Sequence, residues 1–172
     1  MTLNSSIDLS LQEWGDSPCF VECDSRGGCK SLSAAQVRSR IHERTKQFAR
    51  WGIRRGYMVP LFLGNSIDFV DSLFALMNLG AIPVMVKLEY RKLELMEIFA
   101  NCKPQAVISE KTHLPLLRSF LAGVLVIERS SRGLRLVQGQ NEPRRLSELP
   151  EDIATVNYTY PVSYTHLRAH ET

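Results

Sequence analysis

Gly56-Tyr57-Met58-Val59-Pro60-Leu61-Phe62-Leu63-Gly64-Asn65-Ser66-Ile67-Asp68-Phe69-Val70, running on through Ser72-Leu73-Phe74-Ala75-Leu76-Met77-Asn78-Leu79-Gly80-Ala81-Ile82-Pro83-Val84, is the stretch that decides the fold. Tyr57 to Leu63 is an apolar run of strand length, and Asn65 and Ser66 are residues that cap a helix by accepting from its first free N–H groups. Phe69, Val70, Leu73, Phe74 and Met77 then trace a helical stripe that stops at Gly80. Ile82 to Val86 is a second strand. It tolerates Pro83 where the ladder does not need the missing N–H, which favours the strand's start.

The same alternation continues on the C-terminal side. Leu93, Met96, Phe99 and Ala100 predict a helix ending near Asn101, followed by the strand Ala106-Val107-Ile108, a short helix over Leu114 to Leu121 and a strand over Val124 to Ile127. Ser130 to Pro150 is polar loop with one candidate strand, Leu134 to Val137, and Ile153 to Tyr160 is a final β-branched, aromatic strand. On the N-terminal side, Pro18 to Asp24 and Cys29 to Leu32 flank Ser25-Arg26-Gly27-Gly28, the chemistry of a hairpin turn. Ser33-Ala34-Ala35-Gln36 fits a capping box, so a long helix starts there, with Val37, Ile41, Thr45, Phe48 and Ala49 on one face and Gly52 at its end. Short apolar strands alternating with helices define an α/β fold with a parallel sheet flanked by helices and an N-terminal β-hairpin.

The chain has 172 residues, 44% hydrophobic and 23% charged, with a net charge of +3, which fits one compact domain or part of a larger one. Met1 to Trp14 has no basic residue and no continuous apolar stretch, and no run approaches the ~18–20 residues that span a bilayer. The expectation is a cytoplasmic protein with no membrane span. Cys19, Cys23, Cys29 and Cys102 are therefore expected to be free, reduced thiols, and their spacing with His42 and His113 gives no zinc knuckle. Pro161 to Thr172 has no periodic pattern and holds two of the four histidines. It looks like translated sequencing-adapter read-through, the alternative being a genuine polar tail. The expected organisation is thus residues 1–160 as one unit and 161–172 as a non-native tail.

Several familiar sites are missing. Arg26-Gly27-Gly28-Cys29-Lys30-Ser31 lacks the first glycine of a phosphate loop, and no Gly-x-Gly-x-x-Gly or Gly-x-Ser-x-Gly follows a strand. Arg38, Arg40, Arg44, Lys46 and Arg50 make the helix over residues 33–51 basic. A basic helix is usually a solvated face. Its functional alternative is a complete, non-enzymatic module that docks a protein or nucleic acid there, although nucleic acid is not expected without a stacking platform.

The Gly56–Val84 stretch, with its turn, apolar strand, Asn-Ser cap, helix and Gly-Ala-x-Pro ending, resembles the N-terminal region of the AMP-forming acyl-activating enzymes. This superfamily holds acyl-CoA synthetases, luciferases and peptide-synthetase adenylation domains. The opening hairpin, the helix from Ser33 and the unit from Leu93 to Ile108 match the same pattern, so the resemblance covers nearly all of residues 1–160. It implies an ATP-dependent ligase in which a small carboxylic acid attacks the α-phosphate of ATP with Mg²⁺, and a thiol of coenzyme A or a carrier protein then takes the acyl group. The family's phosphate loop, Tyr-Thr-Ser-Gly-Thr-Thr-Gly, follows a strand placed like Ile153 to Val156. The resemblance therefore implies Tyr158-Thr159 as its first residues and Thr159 as a nucleotide-binding position. Tyr160 replaces the usual hydroxyl residue, and no glycine follows. The rest of the site lies downstream in the family, so the chain is expected to be an incomplete part of an adenylate-forming domain, inert alone, with no catalytic or metal residue in these positions.

Overall fold

The computed structural model describes residues 3–23, 27–139 and 153–158. Helix α1 (Leu3–Trp14) leads into a two-stranded antiparallel hairpin, β1 (Pro18–Cys23) and β2 (Cys29–Ser33), and the long helix α2 (Ala34–Arg50). Then come β3 (Met58–Phe62), α3 (Ile67–Asn78), β4 (Ile82–Met85), α4 (Lys92–Cys102), β5 (Ala106–Glu110), the one-turn helix α5 (Leu114–Leu117), β6 (Leu125–Ser130), β7 (Gly133–Gln138) and β8 (Val156–Asn157). The six-stranded sheet has the order β7-β6-β5-β3-β4-β8. Every neighbouring pair is parallel except β6–β7.

The sheet is wound on both faces. On one, α3 and the end of α2 cover Val59, Leu61, Ala106, Ile108, Leu125 and Ile127. On the other, Leu95, Ile98, Phe99 and Cys102 of α4 pack against Phe62, Val84, Val107 and Val126. Strand residues of both parities are buried, which explains why β3 reads as an unbroken apolar run rather than an alternation. A third cluster joins α1, α2 and the hairpin through Leu11, Leu32, Val37 and Ile41.

The local signals behave as their chemistry requires. Ser33 accepts from the Gln36 N–H at 3.3 Å while Gln36 Oε1 accepts from the Ser33 N–H at 2.9 Å, completing the capping box. Gly80 sits at φ 68°, where an added Cβ would lie 3.0 Å from Arg55 Cγ, so both the turn and the close approach call for glycine. Pro83 is the second residue of β4. Ile82 and Val86 donate to β3, so the intervening positions face the outer neighbour, and β8 starts opposite Val84, beyond the missing N–H.

Other expectations are corrected. Cys23 and Cys29 form a disulfide rather than free thiols, because the hairpin register sets them directly opposite each other with a Cα separation of 4.1 Å; Cys19 and Cys102 are free. On α4 the inward face is Leu95, Ile98, Phe99 and Cys102, whereas Leu93 is 74% and Met96 45% exposed. Ala49 of α2 is exposed. The helix expected over Leu114 to Leu121 is one α-turn between the 3₁₀ turns Lys111–His113 and Arg118–Phe120. Of the strand expected over Ile153 to Tyr160, the described part pairs at Val156 and Asn157, while Thr159 and Tyr160 lie outside the described residues, as do 161–172. Helix α1 carries no expectation from sequence. No helix among the described residues is long and apolar enough to cross a membrane.

Candidate functional site

In an open α/β sheet the natural ligand crevice lies beyond the carboxyl ends of the strands, where the winding reverses direction. Here β4 follows β3 on one side and β5 returns to the other, so the reversal falls between β3 and β5. A network of the protein's own charges lies at this reversal. Glu110, at the end of β5, accepts from the Gly64 N–H at 3.3 Å and from Arg129 Nη1 at 2.9 Å. Arg129, near the end of β6, also donates through Nε to Asp68 Oδ2 at 3.0 Å. Burial pulls the Arg129 pKa down, but hydrogen bonds to Glu110 and Asp68 outweigh it and leave the guanidinium above its ordinary value. The Gly64 N–H after β3 and the first turn of α3 are thus each met by one of the protein's own carboxylates, Glu110 and Asp68.

Asp68 is the hub of a wider network. Its Oδ1 accepts from Arg44 Nη2 at 3.0 Å and Arg40 Nη2 at 3.3 Å, and Arg40 Nε donates to Asp71 Oδ2 at 2.8 Å. The alternative that made the basic helix a docking surface finds no support, because Arg40 and Arg44 are committed to α3 and Arg38 donates twice to Asp8 of α1. A shallow groove lined by Arg40, Glu43, Arg44, Gln47, Arg50 and Asp71 opens above this cluster. Sequence reading missed the pairing because Asp68 and Asp71 sit inside an otherwise apolar helix, and their spacing of three residues on one face was the available signal. Burial raises the Asp71 carboxyl pKa despite both arginines and lowers that of the Arg44 guanidinium. Asp71 Oδ1 and Arg44 Nε are buried with no hydrogen-bond partner among the described residues.

At the β4–β8 edge of the same sheet the segment from Ile153 reaches Tyr158. Thr155 Oγ1 donates to the Pro83 carbonyl at 3.0 Å, Tyr90 O–H donates to the Tyr158 carbonyl at 3.1 Å, and Tyr158 O–H donates to Asn101 Oδ1 at 2.9 Å. Burial, with a contribution from Cys102, raises the Tyr158 phenol above its ordinary value. Lys87 Nζ lies 6.0 Å from the Tyr90 ring centroid. This edge brings together Lys87, Tyr90, Asn101 and Tyr158, none of which sequence reading placed together. Thr159, the expected nucleotide position, lies one residue beyond the described segment. Among the described residues no group of three or more His, Cys, Asp or Glu is placed to hold a metal ion.

With this winding and edge in place, comparison with known proteins assigns the class: the chain belongs to the AMP-binding enzyme family, whose family model matches residues 7–159. It is 24% identical over 169 residues to 4-coumarate-CoA ligase 1 of Narcissus pseudonarcissus, covering 92% of this chain and 30% of that one. It is 33% identical over 94 residues to the salicyl-AMP ligase / salicyl-S-ArCP synthetase of Mycobacterium tuberculosis, covering 55% of this chain and 17% of the relative. Its fold matches the crystal structure of a long-chain-fatty-acid-CoA ligase (FadD1) from Archaeoglobus fulgidus with a TM-score of 0.73 at 20% identity, over 92% of this chain and 34% of that one. The chain thus spans less than a third of each of these two relatives by sequence.

Proposed function

We propose that residues 1–160 are the N-terminal part of an ATP-dependent ligase that activates a small carboxylic acid and passes it to a thiol of coenzyme A or a carrier protein, with 161–172 a non-native tail. In that reaction the carboxylate oxygen forms a bond to the α-phosphorus of ATP as the α–β anhydride bond breaks, and pyrophosphate leaves with the electron pair. The thiol sulfur then bonds to the acyl carbon, its proton is lost and AMP departs. The barrier is electrostatic, since an anion attacks an anion, so positioned N–H groups, hydroxyls and cations must hold the charge. The observation that carries the reading is the continuous family match across α1 to the end of β8. It is supported by relatives whose names place acids on CoA and on a carrier protein.

The test has two stages. Sequencing the source DNA through the codon for Tyr160 is expected to show the frame continuing into a Gly- and Thr-rich loop. The full encoded protein is then expected to catalyse ATP–pyrophosphate exchange that depends on an added carboxylic acid. A verified stop directly after Thr172, or no exchange across aryl, short-chain and long-chain acids, would overturn it.

A further inference from the structure

We infer that Cys23 and Cys29 form a thiol–disulfide exchange site: a dithiol reductant opens the bridge while the domain stays folded, and opening frees the tip of the β1–β2 hairpin from β6. Both residues are exposed, and Cys23 shares its strand face with Val21, which is 59% exposed. An exposed bridge admits the attacking thiolate that exchange requires. The other two cysteines are poorer entry points for it. Cys102 is buried, with its thiol pushed up to about 12, and Cys19 is half-buried against the cluster that joins α1, α2 and the hairpin.

The bridge is not what holds the domain together. It closes a loop between residues six apart, and the closure entropy gained is least for such short loops. The three apolar clusters form without Cys23 or Cys29. Its local effect is larger, because the hairpin is anchored in the core at one end. Toward the base, Phe20 and Leu32 pack with Leu11, Val37 and Ile41. Toward the tip the strand pairs are Val21↔Ser31, Glu22↔Lys30 and Cys23↔Cys29, and Val21, Lys30 and Ser31 are exposed. Glu22 points the other way, and its Oε1 lies 3.8 Å from Arg129 Nη2 near the end of β6. The bridge therefore sits one residue beyond the carboxylate that links the hairpin to the charge network. In the exchange, a reductant thiolate bonds to one bridge sulfur as the S–S bond breaks, and the other cysteine leaves as thiolate and takes up a proton. The reductant's second thiol then displaces the first cysteine, so two electrons and two protons reach the cysteine pair and the reductant becomes a disulfide. With the pair unlinked, the last ladder positions fray and Glu22 leaves Arg129, which keeps Asp68 and Glu110.

The test compares the full chain after equilibration with glutathione disulfide and with dithiothreitol, both in native buffer. Alkylation in denaturant and peptide mass mapping are expected to find Cys23 linked to Cys29 in the first state and both as thiols in the second. Reduction is expected to speed amide hydrogen exchange at residues 21–23 and 29–31 about ten- to fiftyfold, the scale of the lost closure entropy, and to leave β3 and β5 unchanged. Cys23→Ser combined with Cys29→Ser is expected to exchange like reduced wild type and to ignore dithiothreitol. Glu22→Gln is expected to speed exchange at the tip about twofold in the oxidised protein and to add nothing in the reduced one, where the link to Arg129 is already lost. Cys23 and Cys29 unlinked after glutathione disulfide, a bridge that opens only in denaturant, equal exchange in the two states, or a rise in β3 and β5 matching that at the tip would overturn the exchange site. A Glu22→Gln effect of equal size in both states would overturn its coupling to β6.

Discussion

Removing the Asp68 carboxylate by Asp68→Ala tests whether the charge cluster at the α2–α3 interface is an integral part of the core. The side chain is 13% exposed and meets Arg40, Arg44 and Arg129, from α2 and β6. The three arginines fare differently without it. Arg40 keeps Asp71 at 2.7 Å and Arg129 keeps Glu110 at 2.9 Å, so the loss falls on Arg44. Its side chain is 11% exposed, its remaining carboxylate contact is Asp71 at 3.9 Å, and its Nε already lacks a partner. Stranding one charge of a fully buried pair costs about 3–5 kcal/mol. Arg44 retains Gln47 at 2.8 Å and some water access, which brings the expectation to about 2–4 kcal/mol. For a chain of this length that is a fall in Tm of about 5–15 °C. Urea and thermal unfolding would be followed by the fluorescence of Trp51, which packs on Phe48 at the end of α2. Replacing both partners, Asp68→Leu with Arg44→Met, is expected to recover most of the loss, because an apolar pair of similar volume avoids the desolvation cost. A loss below about 1 kcal/mol, or additive single and double variants, would refute the buried-pair reasoning.

Three further outcomes are expected. Leu95→Ala, at a fully buried position of α4, is expected to cost about 2–5 kcal/mol in the same unfolding assay, and a loss near zero would mean that α4 does not cover the sheet. Ser33→Ala removes the capping acceptor of α2 and is expected to cost about 1 kcal/mol, with Gln36→Ala adding less than additively because the two halves of the box act together. The hydrogen bond from Arg38 holds the Asp8 carboxyl below the usual carboxylate range, so its contribution is present above that range and disappears as pH falls through the folded value. Asp8→Asn is therefore expected to be less stable than wild type at pH 7 and to match it well below about pH 4, and a gap that persists in acid would show that Asp8 acts otherwise.

Much of the fold was legible because the deciding signals were local. The β3–α3–β4 unit needs only an apolar run, a capping serine and a glycine that accepts positive φ, all within one short stretch. What stayed hidden depended on contacts between distant segments. The inward face of α4 was read from Leu93 and Met96, but the chain turns so that Leu95 and Ile98 meet the sheet, and apolar periodicity alone leaves that rotation open when both faces carry hydrophobic residues. The disulfide was missed because compartment outweighed register, although strands of this hairpin place Cys23 opposite Cys29. The Tyr90–Tyr158 bond joins two loops far apart in sequence and had no local signature, and Thr159, which the resemblance suggested, lies outside the described residues.

The carboxyl side of the parallel strands is held differently at its centre and at its β4–β8 edge. At the β3–β5 reversal, Glu110 and Asp68 are paired with Arg40, Arg44 and Arg129. That arrangement ties α2, α3, β5 and β6 together. At the β4–β8 edge the ladder is short, and the hydrogen-bonded tyrosines take over the task of holding the strand. A charge-paired centre beside an edge with a two-residue ladder predicts that the edge opens more readily than the centre. Amide hydrogen exchange should accordingly be faster around residues 154–158 than in β3 and β5, and equal protection would show that the edge is held as firmly as the centre.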